Sequence, residues 1–294
     1  YSNFSSQTRV GWKYNGFLYT LNENTLEENY AIQLKLNKLT VTDRTQKFEI
    51  TVVGNSARMT YDGTPLSVKG FKTLTFTENG QTFTVEGLTA EKTITNVTES
   101  GEVPITGTAV VKDAEGIDVT AQFTVHTVPG TLTITPRAVI MTSATAEKAY
   151  DGTPITNDTV TASAYSAENG TGFVSGEGAS YDVTGSQTLV GTSDNTFTYT
   201  LNENTLAANY TITTLLGKLT VTDGTDEKPL DPSLFLTKTH DATKTYDTGD
   251  KVEFTINVTN IYDSEKVVVL SELPNVAIIG ADTKTLAANE TWTV

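Results

Sequence analysis

The chain has 294 residues, a formal net charge of −15 and no cysteine. The lack of cysteine excludes disulfides, thiolate metal sites and cysteine nucleophiles. An acidic surface repels phosphate backbones and anionic lipids, and no run of about eighteen apolar residues is present to span a bilayer. We therefore expect no nucleic-acid partner and no membrane insertion of this segment.

Strand-forming residues dominate the composition. Threonine makes up about one residue in five, and β-branched residues fill the apolar runs, a pattern that suits pleated, half-buried surfaces. Phe197, Tyr199 and Leu201 alternate with threonines, which predicts one apolar face and one wet face. Turn residues at Glu78–Gly80 and Asp113–Gly116 predict tight connections. No window has a convincing apolar repeat at helical spacing, so the predicted fold class is all-β.

The first segment, 1–43, contains a tract that returns later in the chain. Val10–Asp43 matches Val190–Asp223 at a constant offset of 180, with 22 of 34 residues identical. A more diverged copy of its end lies at Phe123–Thr135. An offset held without insertion indicates a duplicated structural unit, here with a period of about ninety residues. Because the chain begins within a repeat, we expect it to be part of a longer protein.

A second marker sets the phase of the repeats. Ala57–Ser67 and Ala146–Thr156 share the sequence YDGTP, which aligns Tyr61 with Tyr150. We predict one repeat at 44–136 and another at 137–223, each large enough to close its own core. The repeats are expected to follow one another like beads on a string.

A different module follows the repeats. Residues 224–233 are rich in proline and carboxylates and predict a stiff, solvated linker. Residues 234–294 predict a final module, which we expect to be truncated in this sequence. Its strands are expected at Val252–Val258, where apolar and polar residues alternate, at Lys266–Leu270, and from Trp292 onward.

Short motifs resemble two families of bacterial surface proteins. The YDGTP openings, the segments Asn209–Ile212 and Asn29–Ile32, and the close at Gly130–Arg137 are similar to the YDG/MBG-type repeats of bacterial adhesins. The final module, with TYDTGDKVEFTINVTN before VVVLSELP, resembles the immunoglobulin-like repeat domain of Gram-positive wall proteins. The resemblance implies β-sandwich modules, immunoglobulin-like or β-grasp-like, in an elongated tandem array.

The YDGTP motif has a complete structural explanation. Asp and Gly suit a tight turn with positive φ at Gly, Pro fixes the exit, and Tyr packs under the turn. The residues of this predicted turn motif are Tyr61, Asp62, Gly63, Pro65, Tyr150, Asp151, Gly152 and Pro154.

Candidate metal and catalytic residues are sparse. Asp113, Glu115 and Asp118 form one candidate calcium cluster, and a second lies in the linker, at Asp223, Asp226, Glu227 and Asp231. Calcium needs six to eight converging oxygens, and a linear run of carboxylates supplies only the raw material. His126 and His240 stand in different modules without a second histidine. We expect solvated loop acids, no cofactor and no metal site.

The final module offers one further chemical possibility. Leu234, Leu236 and Lys238 share a strand face, which predicts a lysine directed into the core. The resemblance to wall-protein domains implies an isopeptide bond between such a lysine and an asparagine, assisted by a buried acid. Glu272 is the preferred acid and Glu253 the second choice, with Asn289 or a later asparagine as partner. The alternative is an edge lysine that reaches solvent.

Taken together, the residues and the resemblance imply a non-enzymatic stalk or spacer of a bacterial cell-surface adhesin. Its expected location is extracellular, attached to the cell surface or wall, where it could meet host glycan or protein or other surface-protein modules. The alternative is that the repeats themselves bind host mucin glycan or protein. An enzyme ranks third, because no triad, metal constellation or cofactor motif is visible.

Overall fold

The computed structural model describes residues 2–3, 5–43, 45–225, 228–274 and 276–294. The fold is all-β, as predicted, in small sheets of two to four strands. Among the described residues, helical structure is limited to short 3-10 turns at Glu27–Asn29, Val97–Glu99, Thr120–Gln122, Ala207–Asn209 and Pro232–Leu234.

The chain divides into two compact units. The first unit comprises Tyr1–Arg58, Pro65–Ile94 and Ser100–Thr133, and the second comprises Met59–Thr64, Thr95–Glu99 and Ile134–Val294. The repeat boundary expected between residues 136 and 137 therefore does not coincide with the boundary of the units. Two short segments that belong by sequence to the earlier repeat are part of the second unit.

The strands before Pro136 are short, apart from one of fourteen residues. They are β1 Ser2–Asn3, β2 Gly11–Tyr14, β3 Phe17–Leu18, β4 Lys38–Val41, β5 Phe48–Val53, β6 Ala57–Thr60, β7 Leu66–Lys69, β8 Thr75–Glu78, β9 Gln81–Ile94, β10 Gly101–Val103, β11 Ile105–Lys112, β12 Phe123–Val128 and β13 Gly130–Thr135.

The core of the first unit forms around β9, which pairs with β7, β8 and β11. Asn79 and Gly80, both at positive φ, make the predicted tight turn between β8 and β9. The other half of the core comes from β5, which pairs in parallel with β12. The buried side chains are Ile50, Val52, Phe83, Val85, Val111 and Phe123. Alternate residues of β5 enter this core, as a period of two requires.

The strands from Arg137 onward belong to the second unit. They are β14 Arg137–Ser143, β15 Ala146–Ala149, β16 Val160–Ala162, β17 Ala179–Val183, β18 Gly191–Asp194, β19 Phe197–Leu201, β20 Tyr210–Leu215, β21 Lys218–Thr222, β22 Leu236–His240, β23 Phe254–Thr259, β24 Lys266–Val269, β25 Thr283–Leu286 and β26 Thr291–Thr293.

Parallel pairs recur in the second unit. β14 lies between antiparallel β16 and parallel β20, and β21 lies between parallel β15 and antiparallel β18. The β14–β20 pair matches the β5–β12 pair of the first unit, since Arg137 faces Tyr210 and Phe48 faces Phe123. Parallel pairs of this kind are not part of the two antiparallel sheets that define the constant-type immunoglobulin sandwich.

The final module contains two small sheets, β22–β23–β26 and β24–β25. The late strand predicted at Trp292 is confirmed, because β26 pairs with β23 and buries Trp292. The strand predicted from Val252 begins instead at Phe254, and both of these residues are exposed. Tyr199 on β19 is also exposed, at 39%. Alternation predicted the strands well but overestimated how many apolar positions are covered.

Candidate functional site

The two YDGTP turns have the predicted geometry. Gly63 and Gly152 both have φ of +81°, a backbone conformation that L side chains rarely adopt. The Asp62 carboxylate accepts hydrogen bonds from the backbone N–H and the hydroxyl of Thr64, at 2.8 and 2.6 Å. Asp151 accepts the corresponding bonds from Thr153, at 2.9 and 2.7 Å. The motif is thus an Asx-type turn built from its own side chains.

The tyrosines of the two turns have different surroundings. Tyr61 is 4% exposed, and its ring meets Tyr210 edge to face with centroids 5.5 Å apart. Tyr150 is half-buried and packs against an apolar cluster that includes Leu219 and Ile261. Both tyrosines donate their backbone N–H to the strand that closes the repeat, Tyr61 to Thr135 and Tyr150 to Thr222. The turns are equivalent in backbone, and only Tyr61 enters a polar network.

A single carboxylate links two tyrosines in that network. Tyr61 and Tyr210 donate their phenolic hydrogens to the two oxygens of Glu177, at 2.6 and 2.8 Å. The Tyr210 oxygen also accepts the backbone N–H of Val174 at 3.1 Å. Burial, reinforced by the Glu177 carboxylate, raises the pKa of Tyr61 to about 12, and burial raises the pKa of Tyr210 as well. Both phenols therefore remain protonated donors at neutral pH.

Arg137 completes the network from the first position of β14. Its side chain is 1% exposed, and all of its hydrogen bonds go to backbone carbonyls. The acceptors are Thr171, Gly172, Tyr61 and Ser166. The guanidinium also stacks on Tyr165, 4.1 Å from the ring centroid. A buried charge is costly unless it is hydrogen-bonded, and each of the three guanidinium nitrogens of Arg137 donates to at least one backbone carbonyl.

The alternating pattern of β14 is enough to indicate that Arg137 is buried. Arg137, Val139, Met141 and Ser143 are all buried on the same face of β14. A cation in the first inward position of an otherwise apolar strand face predicts a buried partner network. Glu177 and Tyr210 carry no comparable local signal, because their partners lie far away in sequence.

Asn209 fixes another distant segment of the second unit. Its side chain is fully buried, accepts the backbone N–H of Val97 at 3.0 Å and donates to Asn96 at 2.8 Å. Together with Tyr61, it holds both short segments, 59–64 and 95–99, against the repeat that follows them in sequence. We call Tyr61, Arg137, Glu177 and Tyr210 the tyrosine–arginine clamp.

The clamp has no arrangement suited to catalysis. Each oxygen of its carboxylate accepts one phenol, and the raised pKa of the two phenols makes them poor nucleophiles at neutral pH. Its arginine is buried and occupied by backbone carbonyls, so it cannot receive an anionic ligand. What the clamp can do is hold backbone segments in one geometry.

A second contact region joins the last repeat to the final module within the second unit. Val190 donates its backbone N–H to Ile261 at 2.8 Å and accepts that of Asp263 at 3.0 Å. The apolar cluster beneath contains Ile155, Val190, Leu219, Val221 and Ile261, with Tyr150, Leu230 and Phe235 packed against it. Leu230 lies within the predicted linker, so this part of the linker contributes to packing. A cleft of about 570 Å³ beside it is lined by residues that include Phe235, Tyr262 and Lys266.

The candidate calcium residues take part in turn formation. Asp113 accepts the backbone N–H groups of Glu115 and Ile117 and forms a 2.9 Å ion pair with Arg9. Asp118 accepts the backbone N–H and hydroxyl of Thr120. Within the described residues, no group of three or more acidic or histidine side chains converges as a metal site would require. Asp226 and Glu227 of the linker cluster lie outside the described residues.

Lys238 lies near its preferred acid but not in the core. The ammonium forms a 2.5 Å ion pair with Glu272, and the Lys238 side chain is 39% exposed. All five residues of β22 are exposed, so the inward orientation predicted for Leu236 and Lys238 is wrong. Lys238 faces Ile256 on β23, whereas Asn289 bonds Asn260, four residues further along, or about 13 Å. The structure thus brings Lys238 to Glu272 and leaves Asn289 apart from them.

Both histidines lie on strands with their side chains exposed. His126 pairs with Glu49 at 2.5 Å, and His240 makes ring contacts with Tyr246 and Phe254. Within the part of the chain that is described, no helix has the length and apolar character needed to cross a membrane.

Comparison of the chain with protein-family models, curated protein sequences and solved structures gives no match in any of the three. The resemblance to adhesin repeats therefore rests on the short motifs themselves.

Proposed function

We propose that this chain is a non-enzymatic stalk or spacer region of a bacterial cell-surface adhesin, extracellular and attached to the cell surface or wall. In this proposal the repeats form a tandem, elongated array of β-sandwich modules that carries a ligand-binding region away from the cell. The role of the chain is mechanical, and its partners are other modules of the same surface protein.

The observation that carries this proposal is the tyrosine–arginine clamp. Tyr61 belongs by sequence to the repeat at 44–136, whereas Arg137, Glu177 and Tyr210 belong to the repeat at 137–223. The buried arginine and the carboxylate that bridges two phenols connect the repeats through directional hydrogen bonds. These bonds fix one geometry more specifically than apolar contact alone would. Residues of consecutive repeats held in this way support a chain that has to transmit force along its length.

The contact region with the final module supports the same proposal. Tyr150 occupies the position equivalent to Tyr61 and packs against the apolar cluster that contains Leu219 and Ile261. In both cases a YDGTP tyrosine lies where its repeat meets the following sequence. The clamp connects one repeat to the next through hydrogen bonds, and the apolar cluster connects the last repeat to the final module through apolar packing.

Solution scattering on the 294-residue chain tests the elongated array. A compact globule of this length would have a radius of gyration of about 19 Å. The proposal predicts a clearly larger value and a distance distribution with a long tail. A radius close to the compact value would contradict the stalk.

One observation favours the alternative function of ligand binding. Trp12 and Tyr14 on β2 are 53% and 54% exposed, with their rings edge to face at 5.4 Å, and the Lys38 ammonium lies 3.6 Å from the indole centroid. Exposed aromatic pairs are suited to stacking against sugar rings or to anchoring a protein partner. The equivalent residues of the second tract, at the offset of 180, are Thr192 and Asp194. The pair is thus particular to one tract and is not a property of every repeat.

Exchange of those residues separates the two functions. Binding of mucin glycans to the full chain should disappear in the double variant Trp12→Thr, Tyr14→Asp if the aromatic pair is the binding site. These substitutions install the residues that the second tract already carries on the same strand. A stalk predicts no glycan binding before or after the exchange.

A further inference from the structure

The duplicated tracts fold into matching elements. β2 and β4 of the first tract correspond to β18 and β21 of the second, and each pair is antiparallel in the same register. The loop hydrogen bonds also match, since Asn15 donates its backbone N–H to Asn37 at 2.7 Å and Asn195 donates to Gly217 at 2.8 Å. The two tracts can therefore be compared position by position.

The first difference lies in the segment before the last strand. In the second tract this segment is β20, paired in parallel with β14, and Tyr210 is 7% exposed. In the first tract residues 31–36 belong to no strand and make no backbone hydrogen bond to the described residues. Tyr30, Ile32 and Leu34 are 61%, 39% and 54% exposed. The first tract keeps the apolar pattern of a strand without a partner for it.

The second difference lies on the last strand itself. β21 has neighbours on both edges, β18 and β15, and buries Leu219 and Val221 almost completely. β4 pairs with β2 alone among the described strands, and Leu39 and Val41 remain partly exposed. The free edge of β4 is the edge that β15 occupies in the second tract.

The third difference concerns the side chain of an asparagine that both tracts share, Asn15 in the first and Asn195 in the second. The Asn195 amide nitrogen donates to the carbonyls of Ala144 and Asn157, at 3.0 and 2.8 Å. Asn15 occupies the equivalent position, and its side chain makes no hydrogen bond within the described part of the chain. The side-chain carbonyl oxygens of Asn15 and Asn195 are both buried and unpaired, so the difference lies in the amide nitrogen, which binds main chain in the second tract only.

We propose that Asn15, residues 30–36 and β4 form one strand-accepting face, and that its occupant is the opening segment of a further repeat of the same kind. In the second tract these partners, apart from the Asn157 carbonyl, come from one continuous segment, Arg137–Ala149, which contains β14, the bonded Ala144 and β15. The occupant is thus an extended segment with aliphatic residues opposite Ile32 and Leu34 and a small residue opposite Leu39. Main-chain hydrogen bonds supply affinity and the alternating side chains supply register.

The register is independently supported by the earlier repeat. β5 pairs in parallel with β12, so an opening strand lies beside the penultimate strand there too. Phe123 aligns with Tyr30 and Tyr210, and it is buried by this arrangement. In the repeats at 44–136 and 137–223, the opening strand therefore pairs in parallel with the penultimate strand.

One residue of the first tract opposes close docking. A Cβ at Gly217 would lie 2.3 Å from the Ala144 carbonyl oxygen, and a Cβ at Gly130 would collide with the carbonyl of Asn55. The first tract has Asn37 at this position. The incoming segment has to shift where it crosses Asn37, so Asn37→Gly is expected to strengthen docking.

A synthetic peptide with the sequence of residues 137–149 tests the proposal on the full 294-residue chain. We expect one peptide to bind per chain, with alternate backbone amides of residues 31–36 becoming protected from hydrogen exchange. A control peptide with Val139→Asp and Met141→Asp should not bind, because it places carboxylates opposite the apolar positions. In the second tract β20 is already paired with β14, so the hydrogen exchange of its backbone amides should not change when the peptide is added.

Two variants of the chain complete the test. Ile32→Asp should weaken peptide binding by about tenfold or more, and Asn37→Gly should strengthen it. Because Ile32 lies outside the folded strands, its replacement should leave the melting temperature unchanged. Binding that is indifferent to Ile32, or protection that appears elsewhere than 31–36, would overturn the proposal. Self-association of the free chain through this face, abolished by Ile32→Asp and unaffected by peptide, would also overturn it, because the occupant would then be a second copy.

Discussion

The hydroxyl of Tyr61 donates a 2.6 Å hydrogen bond to Glu177, which lies 116 residues later in the chain. The same carboxylate accepts Tyr210, and the backbone carbonyl of Tyr61 accepts Arg137. One residue of a turn motif is thus fixed through both its side chain and its main chain. The consequences for stability can be measured with matched substitutions.

Tyr61→Phe should lower the free energy of unfolding of the second unit by about 1–3 kcal/mol, because it leaves an oxygen of Glu177 without its donor in a partly buried site. Tyr150→Phe is the matched control, since the Tyr150 hydroxyl makes no hydrogen bond among the described residues. Urea unfolding of both variants gives the comparison. Equal effects at the two positions would show that the hydroxyl of Tyr61 contributes nothing specific.

The raised pKa of Tyr61 predicts an alkaline loss of stability. An unfolded tyrosine loses its proton near pH 10, whereas Tyr61 in the folded protein keeps its proton to about pH 12. Between these values the unfolded state binds fewer protons than the folded state, so stability falls as pH rises. The contribution is fully present below about pH 10, and Tyr210 acts in the same direction.

Comparison with the double variant Tyr61→Phe, Tyr210→Phe isolates this effect from the titration of lysines. Chemical unfolding measured from pH 8 to 12 should show a shallower alkaline decline in the variant. Parallel declines in the two proteins would contradict the assigned pKa shift.

The two turn glycines allow a test of local crowding. Gly63→Ala and Gly152→Ala both place a side chain at positive φ, which costs about 1–2 kcal/mol. A Cβ at Gly63 would in addition lie 2.8 Å from Val174, whereas nothing lies within 4 Å of a Cβ at Gly152. Thermal unfolding should therefore show a larger loss for Gly63→Ala. An equal loss would mean that Val174 moves aside without cost.

Lys238 remains a test of the resemblance to wall-protein domains. The strand register separates it from Asn289, and its ammonium pairs with Glu272. We expect Lys238→Ala to change stability by less than about 1 kcal/mol, as for other exposed ion pairs. Intact mass spectrometry decides whether the Lys238 nitrogen has instead formed an amide with an asparagine side chain, a step that releases the carboxamide nitrogen as ammonia. A mass lower by one ammonia, restored by Glu272→Ala, would demonstrate an isopeptide bond.

Local sequence patterns predicted the strands and turns because their causes are local. Alternation located β19 and β23, and the Asp-Gly pair located both YDGTP turns. The same patterns did not predict which faces are covered. Leu236 and Lys238 had the period of a buried face, yet β22 lies exposed throughout.

The clamp could be anticipated only in part. Arg137 interrupts an apolar strand face, which is a readable signal of a buried charge. Its acceptors are backbone carbonyls, and no side-chain pattern identifies these. Tyr61, Glu177 and Tyr210 meet only after the chain has folded, because hydrogen bonds between distant residues depend on sheet pairing that the sequence does not specify locally.

The most direct measurement is the force needed to unfold the second unit when the full chain is stretched from its two ends. Arg137→Met leaves several buried carbonyls without their donor and should lower both the unfolding force and, by about 3–5 kcal/mol, the free energy of unfolding. Arg58→Met removes an exposed arginine and should leave both unchanged. A clear loss of force in Arg137→Met alone would agree with a clamp that bears load along the chain. Identical force distributions for the two variants and the unaltered protein would contradict it.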